Sequence, residues 1–303
     1  MLATTRQRES FRREVEAIPS LPSLPAVVGK ILQVVNSPTS SARDLSAIIR
    51  NDPALASKIL RVANSAFYGM TRQIDSLDFG VVILGLHKVR DLALGISVMR
   101  AFRSVRENPA FNRARFWEHC ATCALVCQYL SGLLGLKLGH EAFVAGLLHD
   151  IGKIVLDNYF HDRFLETFDL IGSRQMTNYE AEAEVFGADH AEVGSWLADK
   201  WNFPADLASA IAHHHGPLAA PQDHRLITAI CHVADEITKG KAQDISGAPA
   251  TFILDEDPGW LLLRESSRSP RPIDAERMFF ELDDELRQVR ELLRIMEEPG
   301  SIV

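Results

Sequence analysis

Imidazoles recur along the middle of the chain, at His119, His149, His190, the consecutive His213, His214 and His215, and His232. His149 is followed directly by Asp150, and the pair closes the apolar run from Phe143 to Leu148, where an unpartnered carboxylate would lose its hydration at high cost. Asp235 stands in the same predicament within the mostly apolar segment from Ile230 to Ile237. A divalent cation removes that cost for both acids. Imidazole nitrogens mixed with carboxylate oxygens suit iron, manganese, cobalt, nickel or zinc better than calcium or magnesium. Adjacent helical side chains diverge by about 100°, yet an imidazole and a carboxylate differ enough in length and angle to meet at one ion.

A single histidine on an apolar helix face is more often a hydrogen-bonded core residue than a ligand, so the reading rests on the set and not on any one ring. Cys120, Cys123 and Cys127 lie beside His119 at spacings of three and four. A thiolate metal site or a redox pair is conceivable there, but among Ala, Leu and Val these residues read first as small apolar packing groups. Lys153 either snorkels to solvent from a helix end or faces a phosphate.

The elements that must position these side chains are helical, and the fold class is all-α. Ser41 with Asp44 three residues on forms a capping-box pattern, and Asp52 followed by Pro53 forms an N-cap with proline at the first helical position. Ser76 starts another helix and Gly85 stops it. The chain is expected to divide into an N-terminal helix or extension (1–19), a helical unit (20–115), a second helical unit carrying the candidate ligands (116–240), an irregular connector (241–272) and a C-terminal amphipathic acidic helix (273–303). The connector carries Pro249, Pro258, Pro270 and Pro272. In the last helix Phe279, Leu282, Leu286, Val289, Leu293 and Met296 follow alternating spacings of three and four. They form one stripe expected to dock on the protein's own body rather than in a coiled coil.

Composition excludes several classes of function. Forty-seven per cent hydrophobic residues supply a full core, and 32 Lys plus Arg against 40 Asp plus Glu leave a net charge of −8, with no global field to hold DNA or an anionic membrane. Residues 241–303 alone hold 8 basic against 14 acidic side chains. The two short helices of residues 44–64 mimic a helix-turn-helix but offer only Lys58 and Arg61 to phosphates, so they read as packing elements. The start MLATTRQRESFRRE lacks the apolar stretch of a secretory signal, no apolar run approaches the roughly 20 residues of a membrane span, and four cysteines fit a reducing compartment. The expected location is the cytoplasm.

Taken in order, the residues resemble the HD superfamily of metal-dependent phosphohydrolases: Trp117-Glu118-His119, His149-Asp150-Ile151-Gly152-Lys153, His190, His214-His215 and Asp235. The spacing is most similar to the HDOD domain, the HD-related output domain of bacterial signalling proteins. Its N-terminal helical half is matched by Leu21-Pro22-Ser23-Leu24-Pro25, Asn51-Asp52-Pro53 and Ala63-Asn64-Ser65-Ala66-Phe67-Tyr68-Gly69. The resemblance spans roughly residues 20–240. It implies a two-part helical architecture with an HD-type core and a pair of divalent transition-metal ions, iron or manganese first, held by His149, Asp150, His190, His214, His215 and Asp235 with His119 as a further ligand. It also implies Asp150 and Lys153 as the catalytic residues if the site hydrolyses a phosphoester. The consecutive histidines leave two registers open, His213–His214 or His214–His215. Many HDOD proteins have lost ligands that this chain keeps. In the related HD-GYP phosphodiesterases of cyclic di-GMP the histidine pair is followed by a GYP loop. Here Gly216-Pro217-Leu218-Ala219-Ala220 follows instead, and Arg115 occupies the position of the glutamate that binds a third metal. Two functions follow from the resemblance. One is an output module that relays a state to a protein partner, tuned by metal or by a nucleotide or cyclic dinucleotide. The other is a metal-dependent phosphohydrolase, a phosphodiesterase or nucleotidase. The remaining residues are expected to hold no separate receiver or sensor domain, so input would come from a partner, a ligand or separate expression.

Overall fold

In the computed structural model the described residues are 2–19, 21, 26–35, 41–65, 72–102, 108, 110–240, 252–269 and 275–286, and every regular element among them is helical. In chain order these are α1 (Leu2–Glu16), α2 (Ala26–Val35), α3 (Ala42–Arg50), α4 (Pro53–Ala63), α5 (Leu77–Leu84), α6 (Leu86–Ala101), α7 (Arg113–Leu133) and α8 (Gly139–Leu148). They continue as α9 (Ile151–Tyr159), α10 (His161–Arg174), α11 (Asn178–Phe186), α12 (His190–Lys200), α13 (Ala205–His213), α14 (Arg225–Thr238), α15 (Pro258–Ser266) and α16 (Ala275–Leu286). None of the described helices is long and apolar enough to cross a membrane. The chain divides into two compact units, one of Met1–Leu21 with Ser104–Met278 and the other of Pro22–Arg103 with Phe279–Val303.

In the second of these units, local chemistry sets the helix ends. Ser41 and Asp44 form the reciprocal capping box of α3, Asp52 caps α4 with Pro53 in its first turn, and Ser76 accepts a hydrogen bond from Phe79 N at the start of α5. Gly85, at φ 89°, ends α5 and begins α6 in one residue, a conformation that favours glycine. Asn64 ends α4, and its amide grips Ile74 from both sides: Ile74 N donates to Oδ1 at 2.7 Å and Nδ2 donates to Ile74 O at 2.8 Å. Lys58 is buried, so it cannot serve a nucleic-acid face. Residues 22–25 and 66–69 of the N-terminal motifs lie outside the described residues.

The other unit is built round α7. Its buried side chains, from Phe116 to Ser131, occupy all faces, which makes it a central helix rather than an amphipathic cover. α8 and α14 pack on α7, α9 packs on α12, and α12 packs on α13. α1 docks on α11 and α12. There Phe11 sinks among Phe160, Phe186 and Trp196 with ring centroids 4.9, 4.8 and 6.1 Å away, beneath the Arg163 guanidinium 5.0 Å from its ring. Within 241–272, expected to be irregular, the described part holds a 3-10 turn at Leu254–Glu256 and then α15. The reason is that Pro258, read as a breaker, follows the N-cap Asp257 and occupies the first helical turn, where its missing N–H costs nothing. In α16, Leu282 of the apolar stripe is buried, and Val289, Leu293 and Met296 lie outside the described residues.

Two glycines allow the close approaches on which the helix layout depends. A Cβ on Gly146 of α8 would lie 2.8 Å from the Ala124 backbone of α7, and one on Gly152 of α9 would run into the His190 carbonyl of α12. Gly152→Ala should therefore push α9 from α12 and destabilise the protein by about 1–3 kcal/mol, measured by chemical denaturation. Unchanged stability would show that the two backbones do not meet there.

Candidate metal centre

The chain breaks its helices at five of the seven candidate ligands. His149 is the C-cap of α8 and Asp150 the N-cap of α9. Asp150 leaves helical geometry at φ −94°, ψ 10°, which turns its carboxylate back toward the preceding imidazole. His190 opens α12, and His214 is the C-cap of α13 with His215 beyond it. His119 and Asp235 come from the interiors of α7 and α14. His119, His149, Asp150, His190, His214 and Asp235 are almost completely buried, and His215 is half-buried.

These side chains meet. His119 Nε2 lies 3.1 Å from Asp235 Oδ1 and 3.8 Å from Asp150 Oδ2. His149 Nε2 lies 3.4 Å from Asp150 Oδ2 and 3.6 Å from Asp235 Oδ1. On the other side of Asp150, its Oδ1 is 3.0 Å from His190 Nε2 and 3.6 Å from His214 Nε2. His215 Nε2 is 2.8 Å and His214 Nε2 3.3 Å from His190 Nε2. Of the two possible registers in the histidine run, His214 and His215 thus converge with His190, and His213 is in none of the metal-capable groups found among the described residues.

Hydrogen bonds behind the rings aim them. His149 Nδ1 donates to Gly146 O at 2.8 Å and His214 Nδ1 to Ile211 O at 2.9 Å, each three residues back along its own helix. A carbonyl only accepts, so Nδ1 carries the proton and Nε2 is turned to the centre. For His190 the backstop is Glu182 of α11, whose Oε2 accepts from both Nδ1 (2.5 Å) and the backbone N (2.7 Å). Each aspartate also has a lysine: Lys153 Nζ donates to Asp150 Oδ2 at 2.6 Å, and Lys239 Nζ lies 2.7 Å from Asp235 Oδ2. Lys153 thus points inward, not to solvent.

Burial works against every charge here, and the partners decide the outcome. Burial opposes ionisation of Asp150, yet His149, Lys153 and His190 hold its carboxyl well below the usual range. Asp235 is held low against burial by Lys239, His119 and His149. Burial would strip the proton from His149, but Asp150 and Asp235 raise its pKa well above the ordinary value. His190 rises against burial to about 9, chiefly through Glu182. His214 and His215 fall, burial first, with neighbouring imidazoles adding to the shift of each. Without an ion, protons on His149 and His190 supply the positive charge that the two acids need.

The donor set fits a cation for a further reason. His149 Nε2, Asp150 Oδ1 and Asp235 Oδ1 are buried and make no hydrogen bond, although such atoms are normally paired. A nitrogen and oxygen set with unshared lone pairs facing one another is what a transition-metal ion takes.

Sequence reasoning missed Glu182, Lys239, Tyr179 and the role of His232. Lys239 was legible in principle, four residues after Asp235 on one helix face. Glu182 reaches His190 round the turn at Gly187 (φ 78°), which no periodicity announces. His232 Nδ1 donates to His214 O at 2.6 Å while Nε2 meets Asp257 Oδ2 at 2.9 Å, tying the backbone of the histidine pair to the start of α15. Tyr179 stacks on His215 with centroids 4.6 Å apart. The cavity that reaches Lys153 is lined by Phe111, Phe164, Thr167, Phe168, Asn178 and Glu182, and its roughly 10 Å³ is barely room for one water.

Residues 21–217 match the HDOD domain family. Among solved structures, the chain is similar to an HDOD domain protein of unknown function from Geobacter sulfurreducens, with a TM-score of 0.84 and 24% identity over 96% of this chain and 99% of that one. A protein from Shewanella amazonensis SB2B, provisionally designated a phosphohydrolase, gives a TM-score of 0.72 at 26% identity over 94% and 97%. An uncharacterised protein of Treponema pallidum is 24% identical over 226 residues, 73% of this chain, and the chain spans 42% of its length. Ribonuclease Y of Thermus thermophilus is 30% identical over 108 residues, 35% of this chain and 14% of that enzyme.

His190 binds its proton more tightly in the folded protein (pKa about 9) than in the unfolded chain (about 6.5), so the stabilisation is full below about pH 6.5 and is lost as pH rises through about 9. Protein held in chelator should lose thermal stability between about pH 7 and 9, by on the order of several degrees. Glu182→Gln, which removes the main source of the upward shift, should flatten that loss. Scanning calorimetry across the pH series checks both, and a variant that tracks the wild-type slope would dismiss the role of Glu182.

Proposed function

The chain belongs to the HDOD domain family, and from that premise we propose that it is a cytoplasmic signal-output module whose His–Asp cluster binds divalent transition metal and whose shape is read by a protein partner. In this reading residues 20–115 serve as the helical HDOD half and 116–240 as the metal-binding half. His119, His149, Asp150 and Asp235 would hold one ion, and Asp150, His190, His214 and His215 a second. Iron and manganese suit the mixed nitrogen and oxygen donors, with nickel, zinc and cobalt as chemically close substitutes. Metal binding must displace protons from His149 and His190, so affinity rises with pH.

The observation that favours the module over an enzyme is the engagement of Lys153 by Asp150. A phosphoester would need that ammonium, which is committed to Asp150 Oδ2 at 2.6 Å. The second reading, a metal-dependent phosphodiesterase or nucleotidase, is favoured by the complete set of acids and imidazoles and by the designation of the Shewanella relative. A bound metal pair would supply an activated hydroxide and a clamp for phosphoryl oxygens. The chain's own contribution would be Asp150 orienting the imidazoles on both its sides and Lys153 neutralising the phosphate once released from its partner. A nucleotide or cyclic dinucleotide could then act as effector in the first reading or as substrate in the second.

Elemental analysis after purification without chelators, combined with a phosphodiesterase and nucleotidase panel, tests both readings. Wild type should retain transition metal, His149→Ala and Asp150→Ala should lose most of it, and turnover should stay near background with iron or manganese added. Efficient turnover would replace the module by the hydrolase. Absence of metal, or variants that keep it as well as wild type, would remove the metal from both.

A further inference from the structure

Behind the His–Asp cluster the structure gathers sulfur. All four cysteines are buried and free. Two of them converge where α7 packs on α14: the Cys123 sulfur of α7 lies within 4.8 Å of the Cys231 sulfur of α14, and Cys127 stands one turn along α7 from Cys123. Cys127 Sγ also lies 3.9 Å from Ile230 O, which anchors it against the backbone of α14. The sulfurs of Cys123 and Cys231 and one ring nitrogen of His149 all lie within 4.8 Å of one another. Three donors bound at about 2.0–2.3 Å to one ion stand about 3.5–4 Å apart, so the groups need close by no more than about 1 Å to share an ion. The nitrogen available is fixed by chemistry. His149 Nδ1 already donates to Gly146 O, and Nε2, buried and without a hydrogen bond, is the atom with a lone pair to give.

We propose that Cys123, Cys231 and His149 form a second coordination pocket, for a thiophilic cation of the zinc and cadmium class, which shares the His149 imidazole with the nitrogen and oxygen cluster. Thiolate and imidazole donors select soft and borderline ions, whereas the acids and imidazoles of the neighbouring cluster accept harder ones. On binding to the metal-free protein, the two thiol protons and the proton that His149 carries on Nε2 leave to solvent as two metal–sulfur bonds and one metal–nitrogen bond form, with no change of oxidation state. One lone pair cannot serve two ions, so an ion on sulfur takes His149 from Asp150 and Asp235. The sulfur pocket stands on its own geometry. The competition for His149 rests on the metal-binding reading given above.

The test uses the whole protein, reduced and freed of metal, with Cd²⁺ and Mn²⁺ as probes. Titration with Cd²⁺ should raise a sulfur-to-cadmium charge-transfer absorption that saturates at one ion per chain. The band should disappear in Cys123→Ser/Cys231→Ser and persist in Cys120→Ser, whose thiol is outside the group. In protein preloaded with Mn²⁺, the electron paramagnetic resonance signal of free Mn²⁺ should grow as Cd²⁺ is added to wild type and stay flat for the double variant. Cadmium NMR on wild type reports sulfur ligation from the chemical shift, so the pocket stays testable even if the double variant does not fold. No charge-transfer band and a shift typical of nitrogen and oxygen ligands would overturn the pocket. A band without Mn²⁺ release would overturn the shared imidazole. Failure of Mn²⁺ to bind at all would overturn the metal-binding reading and leave the sulfur pocket intact.

Discussion

Two carboxylates taken almost entirely out of water set the terms for the unit that holds them. Asp150 and Asp235 are each about 1% exposed, where an unpartnered carboxylate costs several kcal/mol. The protein answers with a lysine within 2.7 Å of Oδ2 of each acid and imidazoles around both carboxylates. Six helices supply the partners, so α7, α8, α9, α12, α13 and α14 are tied to one small volume by charge as well as by apolar packing.

How the partners are delivered explains why the arrangement is rigid. His149, Asp150, His190 and His214 sit at helix ends, where the backbone leaves its regular path and an unpaired carbonyl or N–H is close by. Two of the rings are locked by carbonyls of their own helices and a third by Glu182. The ring orientations are therefore held largely by main-chain geometry, which a surface substitution hardly reaches. The same geometry leaves the Nε2 of His149, His190 and His214 facing the acids.

What could be read in the amino-acid order was whatever depends on near neighbours. Ser41 with Asp44, Asp52 with Pro53, Ser76 and Gly85 mark helix ends because caps act over three or four residues. The chemistry-bearing side chains were legible by type and order, since few folds place so many imidazoles and acids in apolar runs. What depends on packing was not legible. Glu182 is separated from His190 by a glycine turn, the choice between His213 and His215 depends on how α13 ends, and Pro258 starts a helix only because Asp257 caps it. Cysteines at spacings of three and four on α7 read as packing groups until Cys231 of α14 is set against them.

α1 has a consequence for how the protein is made. Its Gln7 bonds to the Val185 carbonyl, 178 residues away, and its Phe11 ring needs Phe160, Phe186 and Trp196. A ribosome adds about 5–20 residues per second, so α1 emerges roughly ten to forty seconds before its binding surface exists. During synthesis it is an unclaimed amphipathic segment, open to capture by a chaperone or a neighbouring nascent chain. The unit that holds the acids cannot close until the chain has travelled well past its middle.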